Sequence, residues 1–401
     1  MQNLKTIERA LKEFYLPAWQ NQLGTEPSAL LGKIKTVDLK SNKIVATAPI
    51  GLSGGFGFGA EGQATPASGN VMFERFETEA RDMYVNVCIS EKAVRLTGSS
   101  GSMANALDTE IKGAYETAKW NVGRALFGNG TGILARIGAV TGSNEVTVVG
   151  TEELEASTDS LKEGLIVDFY ADGAEVDSTP VATRRIKSIN RANKTFTVYG
   201  ESLTVDAGFI TVQNSYGREI TGLGTIFDTS VDTIYGLKKA DNPFLTPIVL
   251  SADDDIHDGV ITKALRQAQR DKNSNVDFLM CGDDAYDAYV DYLRVNNIRV
   301  EDMSKTISGG FKALKFIFGN REVDIVNEGF VPAGEIWGVD TTALELHTQA
   351  WNFAELQNGG IFNLMEGQSA YRALLANYGD LICKNPGGCI RITNCGYTRA
   401  Q

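Results

Sequence analysis

Basic charge is scarce. Thirty-eight lysines and arginines face fifty aspartates and glutamates, so the net charge is −12 over 401 residues, and there are two histidines. No basic field runs through the sequence to grip a phosphate backbone, which argues against nucleic acid as a direct ligand. The five cysteines, at 88, 281, 383, 389 and 395, are odd in number and scattered. That is not the pattern of a disulfide-stapled secreted domain, and a reducing cytosol is the expected compartment. Long apolar runs are missing too. Met1 to Trp19 carries Lys5, Glu8, Arg9, Lys12 and Glu13 and so lacks the apolar core of a signal peptide, and no later run approaches a membrane span. Prolines number nine against 42 glycines, which predicts many turns on regular structure and two or three structural units.

Chemistry is equally thin. Gly57-Phe58-Gly59-Ala60-Glu61-Gly62 has the letters of a dinucleotide fingerprint, but Gln63 to Gly69 includes Pro66 and cannot open the helix that would meet a pyrophosphate. A flexible-loop reading is preferred. Gly32-Lys33 is followed by isoleucine and lacks the upstream glycine of a phosphate loop. The dense carboxylates are Asp253, Asp254 and Asp255, then Asp283, Asp284, Asp287 and Asp291, of which 283, 287 and 291 share a helix face where a hard cation is conceivable. Acids at a helix start are also what the macrodipole favours, with Arg266 and Arg270 at the far end of the first helix, so capping and solvation are preferred. His257 and His347 stand 90 positions apart, in no spacing that suggests a metal or a nucleophile's base. Cys383, Cys389 and Cys395 sit six apart, unlike the paired two-residue gaps of zinc sites, and read as buried thiols on strands. No catalytic residue, cofactor or metal is expected.

Periodicity organises the rest. Leu4, Ile7, Leu11, Phe14 and Ala18 recur every three or four residues, predicting an amphipathic helix that ends near Pro17 to Trp19 and docks either on its own domain or on a neighbouring subunit. Residues 34 to 49 look extended. Gly51 to Asn70 then carries seven glycines with Phe56 and Phe58, and Met83, Val85, Val87 and Ile89 alternate with polar neighbours. Together these predict one long hairpin, whose arms of about 20 residues would reach on the order of 60 to 70 Å. Met103, Leu107, Ile111, Ala114, Ala118, Val122 and Ala125 form an unbroken helical stripe before a Gly128-Asn129-Gly130 stop. Short strands fill 138 to 216, predicting a small antiparallel barrel or sandwich inserted into a larger domain. After that, strands near Pro247 and Val276 alternate with helices from about Asp254 and Asp283, and strands at Val323 to Val326, Glu335 to Val339 and Ala370 to Thr393 predict a mixed sheet under helices.

This order of elements, with the phrases Glu219-Ile220-Thr221-Gly222-Leu223, Phe278-Leu279-Met280-Cys281-Gly282-Asp283 and Val331-Pro332-Ala333-Gly334-Glu335-Ile336-Trp337, resembles the Hong Kong ninety-seven type capsid fold of tailed-phage major capsid proteins. The resemblance implies an α+β chain: an N-terminal arm over 1–48, an extended loop over 44–90, a peripheral domain with a spine helix over 91–137, an inserted β domain over 138–216, and an axial domain with returning peripheral strands over 217–401. It implies a shell subunit that assembles as pentamers and hexamers around DNA, enclosing the DNA without specific binding. A separate scaffolding protein, a portal and decoration proteins would be its partners, and the virion, built in the host cytoplasm, its place. Contacts between copies are expected at Leu4, Ile7, Leu11, Phe14, Phe56, Phe58, Glu61, Arg75, Glu77 and Arg81. No lysine stands between Lys43 and Lys92, so the isopeptide weld some relatives make from this loop cannot form. The alternatives are an encapsulin-like compartment, a β-rich glycan-binding surface module and, last, a hydrolase.

Overall fold

The computed structural model describes residues 8–9, 11–51, 55–62, 67, 69–92, 101–150, 156–296, 304–307, 310–356 and 360–396; the side chains of Phe14 and of residues 101–108 are outside that description. Two compact units divide the chain, Met1–Val122 with Ile226–Gln401, and Gly123–Thr225.

In the first unit a five-residue π-helical turn, Leu11–Tyr15, runs into helix α1, Leu16–Leu23. The helix thus continues past its predicted end. Pro17 falls in the first turn of α1, where its missing N–H costs no hydrogen bond. Strand β1 (Lys35–Asp38) follows, then β2 (Lys43–Pro49), β3 (Phe73–Glu79) and β4 (Arg81–Ser90). The hairpin is formed by β2 and β3, in register from Lys43 opposite Glu79 to Pro49 opposite Phe73. This corrects the sequence reading, which gave the returning arm to residues 83–90. Seven residues per arm span about 23 Å. The period-2 pattern of β4 arises because it is a half-buried strand of the body sheet, with Val87 and Ile89 buried and Cys88 exposed. The true arm, Phe-Glu-Arg-Phe-Glu-Thr-Glu, has no apolar alternation to announce it.

Helix α2, Gly101–Phe127, has 27 residues, so it is about 40 Å long. Ile111, Tyr115 and Ala118 are buried against Val87, Ile89, Ala373 and Leu375, and Trp19 stacks near Tyr115 with ring centroids 5.8 Å apart.

The second unit is a closed six-stranded barrel of β5 (Ile133–Ile137), β6 (Glu145–Val149), β7 (Ile166–Ala171), β8 (Ala182–Asn190), β9 (Thr195–Val198) and β10 (Gly208–Val212), in the order β9-β6-β5-β10-β7-β8. Val146, Val167, Phe169, Ile186, Phe196 and Ile210 fill its interior. It takes in Ile133–Ile137, ahead of the expected boundary at 138, because those residues pair with Gly208–Thr211. The phrase Glu219 to Leu223 belongs here. Glu219 binds Arg124 in a bidentate pair, Leu223 donates its N–H to the Leu126 carbonyl at 2.8 Å, and a Cβ on Gly222 would lie 2.4 Å from the Ala125 carbonyl oxygen. Only glycine lets the chain cross that close to the carbonyl end of α2.

The chain then returns to the first unit with β11 (Ile248–Ser251), α3 (Asp258–Lys272), β12 (Phe278–Cys281) and α4 (Asp283–Val295). Strands β13 (Ser304–Thr306), β14 (Lys312–Phe318), β15 (Arg321–Asn327), β16 (Ile336–Val339) and β17 (Leu344–Thr348) come next. The last are β18 (Asn352–Phe353), β19 (Phe362–Leu364), β20 (Ala370–Cys383) and β21 (Ile390–Thr393). Among the described residues, one mixed sheet has the order β11-β21-β16-β12-β15-β14-β13. Ile261, Leu265 and Ala268 of α3 and Ala285, Tyr289 and Leu293 of α4 share one core with its side chains. The other sheet centres on β20, which pairs with β4, β17, β18 and β19, while β1 adds in parallel to β17. Helix α3 starts at Asp258, not near Asp254. Asp253 and Asp254 take left-handed φ of 51° and 61°, a turn aspartate tolerates, so only Asp258 serves the first turn.

Phe76, fully buried on β3, stacks on Tyr235 at 5.3 Å and lies 6.4 Å from Phe244, fixing the hairpin base to the body. Phe76→Ala should cost about 3 to 5 kcal/mol, read as an earlier denaturation transition; a loss below about 1 kcal/mol would mean the base is not anchored there.

Candidate assembly surfaces

Apolar side chains stand exposed along the hairpin. Among the described residues, six of the sixteen exposed large apolar side chains, Val45, Phe56, Phe58, Val71, Met72 and Phe73, lie within residues 43–79. Phe56 is 81% and Phe58 96% exposed, and their rings meet edge to face at 5.3 Å. Each such ring would gain about 1.5 to 3 kcal/mol on full burial. Inward, Ile44, Ala46, Ala48 and Phe76 are buried. Outward, Lys43 Nζ and Arg75 Nε hold the Glu77 carboxylate at 2.5 and 2.6 Å, and the Lys43 hydrogen bond, with both positive charges near, keeps that carboxyl below its usual range. Glu77 also donates its N–H to the Tyr235 carbonyl at 3.0 Å.

The expected contact residues therefore separate. Phe56, Phe58, Glu61 and Arg75 are exposed on the hairpin, and Glu77 and Arg81 are half-buried. Leu11 is corrected: it is fully buried in one core of its own chain with Trp19 and Leu23, whereas Ala18 of the same predicted stripe is exposed. Lys12 to Glu355 at 2.5 Å and Gln20 to the Trp351 carbonyl at 2.6 Å hold the segment there. Leu4 and Ile7 lie outside the described residues, as does the Phe14 side chain.

A second feature, unseen in the sequence, is the strap from Glu26 to Asp38. Glu26 accepts from the Tyr115 hydroxyl and Lys119 on α2 at 2.9 and 3.0 Å. Ser28 donates to Glu328 at 2.6 Å, Lys33 pairs with Asp324 at 2.7 Å, and Lys35 with Glu345 at 3.1 Å. One segment thus ties the long helix and both sheets together. Among the described residues no cation pairs with Glu328. Desolvation pushes its carboxyl up to about 7, helped by the nearby Asp283 and opposed by hydrogen bonds from Ser28 and from the Ala29 and Phe330 N–H groups.

No chemical centre emerges from the remaining candidates. Gly57 to Gly62 is loop and turn. Asp291 pairs with Arg294 at 3.3 Å, and Asp258 accepts from Tyr289 at 2.9 Å. His257 precedes α3 with Nδ1 2.9 Å from the Asp255 carbonyl, and His347 sits on β17 beside Glu345. Among the described residues no group of three or more histidine, cysteine, aspartate or glutamate side chains is placed to hold a metal, and no helix is long and apolar enough to cross a membrane.

No family model matches the chain, and no curated protein matches its sequence. Solved structures do. The capsid asymmetric unit of cyanophage A-1(L) is 9% identical, with 92% of this chain and 93% of that one covered at a TM-score of 0.52. The fold is that of a phage capsid subunit. Weaker likenesses are Mycobacterium phage Bobi (10% identity, 92% and 91% covered, TM-score 0.44) and the SrpI encapsulin complex of Synechococcus elongatus (7%, 93% and 90%, 0.47).

The strap gives a pH test. Folded Glu328 keeps its proton up to about pH 7, whereas an unfolded glutamate loses it near 4.5, so this group's stabilisation is full below pH 4.5 and is lost as pH rises to 7. The change is on the order of 3 kcal/mol. Glu328→Gln should flatten stability across that window in denaturation midpoints; an unchanged pH slope would remove Glu328 as its source.

Proposed function

We propose that this protein is a structural subunit that self-assembles, as pentamers and hexamers, into the icosahedral shell of a phage head enclosing DNA. The observation that carries the reading is the hairpin tip: two phenylalanines almost wholly in water, on a chain whose capsid fold extends over nine-tenths of its length. In a shell the tip would lie across an adjacent copy, and symmetry would repeat a modest apolar contact many times. Residues 1–48 act as the arm and the β2–β3 hairpin as the extended loop. The long helix and the β20 sheet form the peripheral domain, the seven-stranded sheet with α3 and α4 the axial domain, and the barrel an insert.

With no lysine between Lys43 and Lys92, the contact is noncovalent on the loop side. The net charge of −12 suits a wall along which packaged DNA must move, since a wall that bound phosphates would hold it. A separate scaffolding protein, a portal and decoration proteins are its partners, and the virion its final location. The role is geometric, and no catalytic step is assigned to it.

Deleting residues 51–70 tests this. It leaves Ile50, Val71 and Met72 as a three-residue turn between β2 and β3, where Ile50 already donates its N–H to the Met72 carbonyl at 2.9 Å. The shortened chain should fold with an unchanged circular dichroism spectrum and fail to form closed particles under conditions where the full chain does. Normal particles from the deletion would contradict the proposal.

A further inference from the structure

Cys383 ends β20 and Cys389 immediately precedes β21, so the pair brackets the turn that carries the chain from one sheet to the other. Their sulfur atoms are 3.8 Å apart, and the residues are 1% and 2% exposed. Both positions are fixed by independent contacts. Cys383 pairs with Leu344 across the sheet and donates its N–H to the Tyr235 hydroxyl at 2.8 Å. On the far side the Cys389 carbonyl accepts from the Ile248 N–H at 2.9 Å, and Asn385 donates to the Lys272 carbonyl at 3.2 Å. Between them the turn is too tight for side chains: a Cβ on Gly387 would lie 2.2 Å from the Phe244 carbonyl oxygen, and one on Gly388 2.5 Å from Ser274.

The two thiols therefore need no chain search to meet. Going from contact to a bond of ~2.05 Å is a side-chain movement of under about 2 Å. We infer that Cys383 and Cys389 are an oxidisable pair that closes to a disulfide across this turn when the folded protein meets a small-molecule disulfide. The chemistry balances as two exchanges. One cysteine thiolate attacks the reagent's sulfur and expels a small thiolate. The second cysteine thiolate then attacks the mixed disulfide and expels the other, so the protein loses two electrons and two protons while the reagent becomes two small thiols.

The Cys383 thiol alongside, with burial, keeps Cys389 protonated well above the ordinary thiol range, so closure is slow at neutral pH and quickens as pH rises. Exposed Cys88, on β4, reports whether the oxidant is active.

Trypsin cuts after Lys384 and so separates the two cysteines onto peptides 373–384 and 385–391. The full chain is held folded with oxidised glutathione at pH 8.5, its remaining thiols are alkylated under denaturing conditions, and the digest is read by mass spectrometry. The expected product is the two peptides joined by one disulfide, with Cys281 and Cys395 alkylated and Cys88 carrying glutathione. The joined species should disappear with dithiothreitol and in Cys383→Ala, and should form faster at pH 8.5 than at pH 7. Alkylated Cys383 and Cys389 beside glutathionylated Cys88 would overturn the inference, as would a bond from either to Cys281 or Cys395. The wild-type digest decides the matter even if the variant fails to fold, and it does so whether or not the chain builds shells.

Discussion

Strand β20 constrains everything around it. Its ten residues from Ala370 to Gly379 pair with β4, and its far edge takes β17, β18 and β19, while β1 pairs with β17. Segments near residues 35 and 90 are thereby fixed to the same sheet as segments near 345 and 380. The stretch between β1 and β4 must then leave that sheet and come back to it. Its cheapest way to satisfy backbone hydrogen bonds on the way is to pair with itself, which is the β2–β3 hairpin. The loop is thus a consequence of where the sheet fixes its two ends, and Phe76 against Tyr235 and Phe244 sets where it leaves the body.

The hairpin's two faces then meet different demands. Ile44, Ala46, Ala48 and Phe76 are buried in their own chain, whereas Phe56, Phe58, Met72 and Phe73 stay exposed. An exposed apolar tip is a standing free-energy gain for whatever can bury it. The strap from Glu26 to Asp38 has the complementary task of keeping the helix and both sheets together within one subunit.

Much of this was legible in the residues, and what was not has physical causes. The stripe from Met103 to Ala125 declared α2 because local spacing alone defines a long helix, and the β-rich stretch announced itself by its short strands and turns. Strand β4 was equally clear, but its partner was not, since pairing with a strand almost 290 residues away leaves no local trace and the polar β3 offered a weaker pattern. The stripe through Leu11 could not say which surface it would meet. Asp253 and Asp254 looked like a helix start because charge pattern carries no information about φ. Of the candidate surface, Phe56 and Phe58 were visible as the apolar residues of a glycine tract, whereas the strap's ion pairs join residues some 300 positions apart and exist only in the fold.

The central claim is that the exposed hairpin makes this chain an assembling subunit. The most direct test is the mass of the purified full-length protein by light scattering, alone and with a co-encoded scaffold, with electron microscopy of the heaviest fraction. Capsomer rings or uniform closed shells are the predicted result. A strict monomer of 43.4 kDa under every condition, scaffold included, would contradict it.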